Sequence, residues 1–165
     1  AMIFVMFVIG LNQGMQPIAG YNYGAQQYDR MMRVVKLSII TAVCIMLTGW
    51  SLAMFAPYHC ARMFTTDPEL IKGSIKAIHI IMMMFPLIGS QMVITNFFQC
   101  IGKVKISIFL SLSRQLLFLL PLLAILPNFY GIDGVWASMP TSDFIAVVVA
   151  VTIMLVFLRR FKKER

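Results

Sequence analysis

The chain has 165 residues, 60% hydrophobic and 12% charged, with a mean hydropathy of +0.85 and a formal net charge of +8. Soluble domains carry about 25% charged residues, and this much apolar surface cannot be hidden in one small core, so a water-soluble globular body is excluded. The basic residues fall in short gaps between apolar runs and the aromatic residues inside those runs. That distribution argues against nucleic acid as a partner and leaves the lipid bilayer as the solvent.

Five segments reach the roughly 20 mainly apolar residues that a helix needs to cross a bilayer: 1–21, 34–57, 75–100, 105–127 and 134–158. Backbone groups in lipid must be bonded internally, and runs this long suit helices. The predicted fold is therefore an all-α membrane protein, a bundle of five transmembrane helices with a basic tail at 159–165. The chain starts at Ala1 without a charged leader, which reads as a fragment whose N-terminal part is missing rather than as a signal peptide.

The first span runs into GLNQGMQPIAGYNYGAQQYDR. At about 100° per residue, Asn12, Gln13, Gln16 and Gly20 share one arc, while Phe4, Phe7, Leu11 and Ile18 point the other way towards lipid. Gly10 with Gly14, and Gly20 with Gly24, are small-x3-small pairs that would let helices approach closely. Pro17 frees the carbonyl near Gln13 and favours a kink. Glycine and proline interrupting a span are a pointer to a transporter's binding region; helix packing alone is the plainer reading.

In the third span, Gln91, Thr95 and Gln99 follow i, i+4, i+8 with Asn96 beside them, and Ile94 and Phe97 face away. Pro86 and Gly89 precede them by about a turn, so this helix is expected to bend. Met82, Met83 and Met84 offer adaptable surface, for which packing is the plainer role. In the fourth span Ser107, Ser111 and Arg114 line up, with Gln115 adjacent. An arginine at mid-membrane costs ~2.5–3.5 kcal/mol and should face the bundle or a cavity. In the fifth, Asp143 is the clearly intramembrane carboxylate, and Ala146 and Ala150 on its face leave room for another helix. Arg114 and Asp143 enter from opposite sides to similar depth, so they are candidates for an ion pair or charge relay.

Arg30, Arg33, Lys36, Lys103, Lys105 and the tail residues Arg159, Arg160, Lys162, Lys163 and Arg165 fall on one side of this arrangement. Only Arg62, Lys72 and Lys76 fall on the other. The positive-inside rule puts the larger group, and the C-terminus, in the cytoplasm. Cys44, Cys60 and Cys100 are scattered without ligand spacing, and His59 and His79 are too far apart in sequence for a metal pair. No nucleophile motif or metal cluster supports an enzyme.

The stretch from Gly10 to Ala25, with Gly14, Gln16, Pro17, Gly20 and Gly24, resembles the signature of the multidrug and toxic compound extrusion (MATE) family. Gln99 with Gly102 and Lys103, then Ser113-Arg114-Gln115 with Pro121, then Gly131, Gly134, Trp136, Pro140 and Asp143, extend the resemblance over nearly the whole chain. It implies a twelve-helix, two-lobed transporter, with residues 1–158 forming the eighth to twelfth helices in the C-terminal lobe and the N-terminal lobe missing. It implies Na⁺- or H⁺-coupled export of small amphipathic or cationic compounds across the plasma membrane by alternating access. Gln16, Gln91, Thr95, Asn96 and Gln99 would contact substrate. Gly14, Pro17, Gly20, Gly24 and Pro86 would serve gating or kinking, and Arg114 and Asp143 a charge relay or structural clamp. Several members carry acidic residues for coupling in the seventh and tenth helices. The third span here has none, so no cofactor is expected and the coupling ion would bind largely outside this fragment. A lipid or polysaccharide-precursor flippase of the same superfamily, or a non-transporting membrane subunit, are the alternatives.

Overall fold

A computed structural model describes residues 2–62 and 65–163. The side chains of Cys60, Phe161, Lys162 and Lys163, and the whole of Glu164 and Arg165, lie outside what it describes.

The first span is α1 (Met2–Gly24), 23 residues that run unbroken through Pro17. At 1.5 Å per residue it measures ~35 Å, enough for the ~30 Å hydrocarbon layer. The chain reverses within three residues, with Gln26 at φ 58 and the Gln27 amide donating to the Asn22 carbonyl at 2.8 Å. Helix α2 (Tyr28–Phe55) starts earlier than expected, so Arg30 and Arg33 stand on its first turns instead of in a loop. A short helix α3 (Pro57–Arg62) follows.

The third span is a broken rod. The carboxylate of Asp67 accepts the Glu69 amide at 2.9 Å and Pro68 opens α4 (Pro68–Met82), a strong helix start. Helix α5 (Phe85–Cys100) carries Pro86 in its first turn. Proline lacks an N–H and its ring crowds the carbonyl four residues back, here Met82, so the ladder stops there. The two halves meet at 45°, the bend the sequence led us to expect.

The fourth span is continuous but not uniform. It consists of α6 (Val104–Leu112), a π-helical segment (Ser113–Leu119) and α7 (Leu120–Tyr130). Pro121 cannot donate to the Leu117 carbonyl, and a widened turn relieves its clash with that group. The span passes through Pro127 and ends at Gly131, whose φ of 59 favours glycine. Helix α8 (Ile132–Lys163) completes the bundle.

Helix α5 is the hub, packed against α1, α2, α6 and α8. Phe85, Ile88, Val93, Ile94, Phe97 and Phe98 are accordingly buried, while Gln91, Thr95 and Gln99 leave a polar strip along one face. Phe97, Phe98 and Phe157 form an aromatic cluster with centroids 5.4–6.1 Å apart, and the Lys103 ammonium sits 5.1 Å from the Phe157 ring centre. Outward-facing side chains such as Phe7, Leu37, Leu47 and Leu155 are exposed, as a lipid-facing surface requires. Phe4 and Leu11 depart from the expected lipid face of α1: both are partly buried against the core. Hydroxyls that would be stranded in lipid bond back to their own helix, as Thr48 does to the Ile45 carbonyl and Thr152 to that of Val148.

Candidate functional site

A cleft of about 430 Å³ opens between α1, α5 and the fourth span. From α1 come Asn12, Gln13 and Gln16; from α5, Gln91, Thr95, Asn96 and Gln99; from the fourth span, Ser111, Arg114 and Gln115. Helical periodicity creates this convergence. Residues 91, 95 and 99 stack on one face of α5, and the amide arc of α1 meets it. The five positions expected to contact substrate all border this one cleft.

Two internal contacts shape it. The Gln16 side-chain amide donates to the Asn96 carbonyl oxygen at 2.6 Å, linking α1 to α5. Arg114 Nε donates to Asp143 Oδ1 at 2.7 Å, linking the π segment to α8. The Asp143 side chain is 7% exposed and that of Arg114 36%. The carboxylate is thus the buried partner, and the guanidinium reaches the cleft already neutralised. Ala146 and Ala150, on the same side of α8 as Asp143, are buried.

Other polar atoms are left over. Asn12 and Gln91 are each 3% exposed, and their side-chain carbonyl oxygens have no hydrogen-bond partner among the described residues. A buried acceptor left unmade costs ~1–3 kcal/mol; both oxygens are covered as they stand, so a ligand or water meets them only after the side chain turns towards the cleft. Among the described residues no group of three or more His, Cys, Asp and Glu could hold a metal ion.

The glycines behave differently from the sequence expectation. Of the two small-x3-small pairs only Gly20 meets a neighbour: a side-chain carbon added there would stand 3.4 Å from the Cys100 carbonyl oxygen. Gly10, Gly14 and Gly24 face open space, because they point away from the helices that α1 packs on. The close approaches occur elsewhere. A carbon on Gly89 would lie 3.0 Å from the Ala42 carbonyl oxygen, one on Gly49 would lie 2.7 Å from the Phe4 ring, and one on Gly134 would collide with the Leu126 carbonyl. None of them has a second glycine at i+4, although Gly49 with Ala53 and Gly134 with Ser138 are small-x3-small pairs, so a search for paired glycines passes them by.

A second cleft, of about 400 Å³, adjoins the first. Met92, Arg114 and Gln115 border both, so the Arg114–Asp143 pair stands in the shared wall. Sequence reasoning did not anticipate this second cleft. Its residues, among them Val5, Phe85, Leu119 and Met139, are apolar and look like ordinary core or lipid positions.

The model of the MatE family matches residues 1–125. The multidrug export protein MepA of Staphylococcus haemolyticus is 21% identical over 149 residues, covering 90% of this chain and 32% of that protein. MepA of Staphylococcus aureus strain NCTC 8325 is 23% identical, with 90% and 33% covered. Among solved structures, the MATE multidrug transporter DinF-BH superposes with a TM-score of 0.88 at 40% identity, over 93% of this chain and 34% of that one. An inward-facing multidrug resistance MATE transporter of the MOP superfamily superposes with a TM-score of 0.90 at 20% identity, over 98% and 38%. The chain spans about a third of the length of these relatives. The family match covers most of the sequence, and the chain belongs to the multidrug and toxic compound extrusion family, whose members are membrane transporters and not enzymes.

Proposed function

We propose that this chain forms most of the C-terminal lobe of a multidrug efflux antiporter, and that its amide-lined cleft contacts amphipathic, cationic compounds during export. The observation that carries the reading is the cleft itself: neutral polar side chains from three spans converge, and the buried oxygens of Asn12 and Gln91 lack partners. Carbonyl oxygens accept from N–H donors and face positive charge favourably. Without a free carboxylate they do so weakly enough to let a ligand leave. The flippase alternative gains no support, since the cleft's one guanidinium is already bonded to Asp143.

Transport proceeds by alternating access against the other lobe. The coupling cation, Na⁺ or H⁺, is held largely by residues outside this stretch, and the C-terminus lies in the cytoplasm. Support for coupling elsewhere is that, among the described residues, no unpaired carboxylate borders the cleft. Ethidium efflux by the intact protein tests the reading. Gln91→Ala and Asn12→Ala should each lower efflux severalfold at unchanged membrane abundance. Undiminished efflux and drug resistance in both variants would remove the cleft from the transport path.

A further inference from the structure

We infer that the second cleft is the apolar half of a two-part ligand site, taking the hydrocarbon or ring portion of an amphipathic compound whose polar end lies among the amides. The inference rests on the proposed function and extends it. Val5 from α1, Phe85 and Ile88 from α5, Leu119 from the π segment and Met139 from α8 supply carbon surface around about 400 Å³. Met82 lies at the break between α4 and α5, and Met92 lies in the shared wall. Thioether chains without branches reshape readily around ligands of different outline.

Continuity selects the occupant. The apolar cleft meets the amide cleft through Met92, Arg114 and Gln115, so a molecule reaching across would place unlike ends in unlike surroundings. Each cleft falls within the ~300–1,000 Å³ range of small-molecule sites. The polar boundary is the Arg114–Asp143 pair, with Ser142 buried next to it. Because that pair is bonded internally, it divides the two environments without demanding a counter-charge from the ligand.

The test uses the intact transporter in nanodiscs and primary alkylammonium ions from methyl to hexyl, competed against ethidium with free concentrations measured. All members share one N–H-donating head, so methylammonium affinity reports the amide cleft and the gain per methylene reports the apolar one. A fully buried methylene is worth roughly three- to fourfold, and the wild type is expected to gain about two- to fourfold per carbon. Met139→Trp and Leu119→Trp fill the cleft from two different elements, so a folding failure in one leaves the other. In either folded variant the gain should flatten while methylammonium affinity holds. An unchanged gain, or none in the wild type, overturns the inference; another stretch of the protein filling the cleft would give that result. Gln91→Ala acts on methylammonium binding alone, so failure of the amide-cleft reading shows there and not in the chain-length dependence.

Discussion

Deleting Arg114 should destabilise the protein more than deleting Asp143, although the two form one ion pair. The pair closes at 2.7 Å, with the carboxylate 7% exposed and the guanidinium 36%. Breaking a buried pair by removing one partner costs ~3–5 kcal/mol, because the remaining charge is left uncompensated. Exposed pairs are worth ~0–1 kcal/mol. Arg114→Ala orphans the more buried charge and belongs near ~4 kcal/mol. Asp143→Ala leaves a guanidinium at a cleft that admits water, and belongs nearer ~2 kcal/mol. Replacing both, as Arg114→Met with Asp143→Leu, removes two charges that each cost ~2.5–3.5 kcal/mol to hold in a membrane helix. The double variant should therefore unfold later than either single one. Thermal unfolding of the intact protein in detergent, arranged as a double-mutant cycle, measures this directly. Strictly additive losses, or a larger loss at Asp143, would refute the reasoning.

Gly89→Val should lower stability by ~1–3 kcal/mol, since the new branch meets the Ala42 backbone, which cannot swing aside; an unchanged unfolding midpoint would deny that α2 and α5 touch there. Gln26→Gly should raise the midpoint, because φ 58 is strained for a side chain and free for glycine, by ~0.5–1 kcal/mol. With Cys44, Cys60 and Cys100 replaced by serine, a cysteine introduced at Gln27 or Lys103 should be protected from an impermeant maleimide in intact cells, whereas one at Asp67 should be labelled; the reverse pattern would invert the proposed orientation.

Much of the fold was legible because its strongest signals are one-dimensional. An apolar run of 20 residues leaves few options in lipid, and Pro86 marked the bend between α4 and α5. What the sequence hid depends on local balance. Pro17, Pro127 and Pro140 look like Pro86 yet interrupt nothing, since their helices continue through them. Pro121, which the π segment accommodates, is no different by type from the prolines whose helices stay regular. The turn after α1 hinges on Gln26, although Gly24 two residues earlier is the better candidate by type. Amide positions were readable because period 3.6 converts spacing into direction, and Gln16, Gln91 and Gln99 share a cleft for that reason. Apolar residues carry no such contrast inside an apolar chain, so the faces of Phe4 and Leu11, and the second cleft, required the packing itself.

The choice of amides over acids in this cleft has a physical consequence for what it can hold. A free carboxylate would bind a cation tightly but would be costly to bury whenever the site emptied. Amides without partners carry a smaller penalty, ~1–3 kcal/mol each, and return it when a donor arrives. Arg114, which would otherwise repel a cationic ligand, is neutralised by Asp143 in the wall. An anionic headgroup could engage that arginine only by competing with a carboxylate 2.7 Å away. If the two clefts hold ligand as proposed, discrimination is set by donor groups at one end of the ligand and carbon surface at the other, which favours many compounds loosely over one tightly.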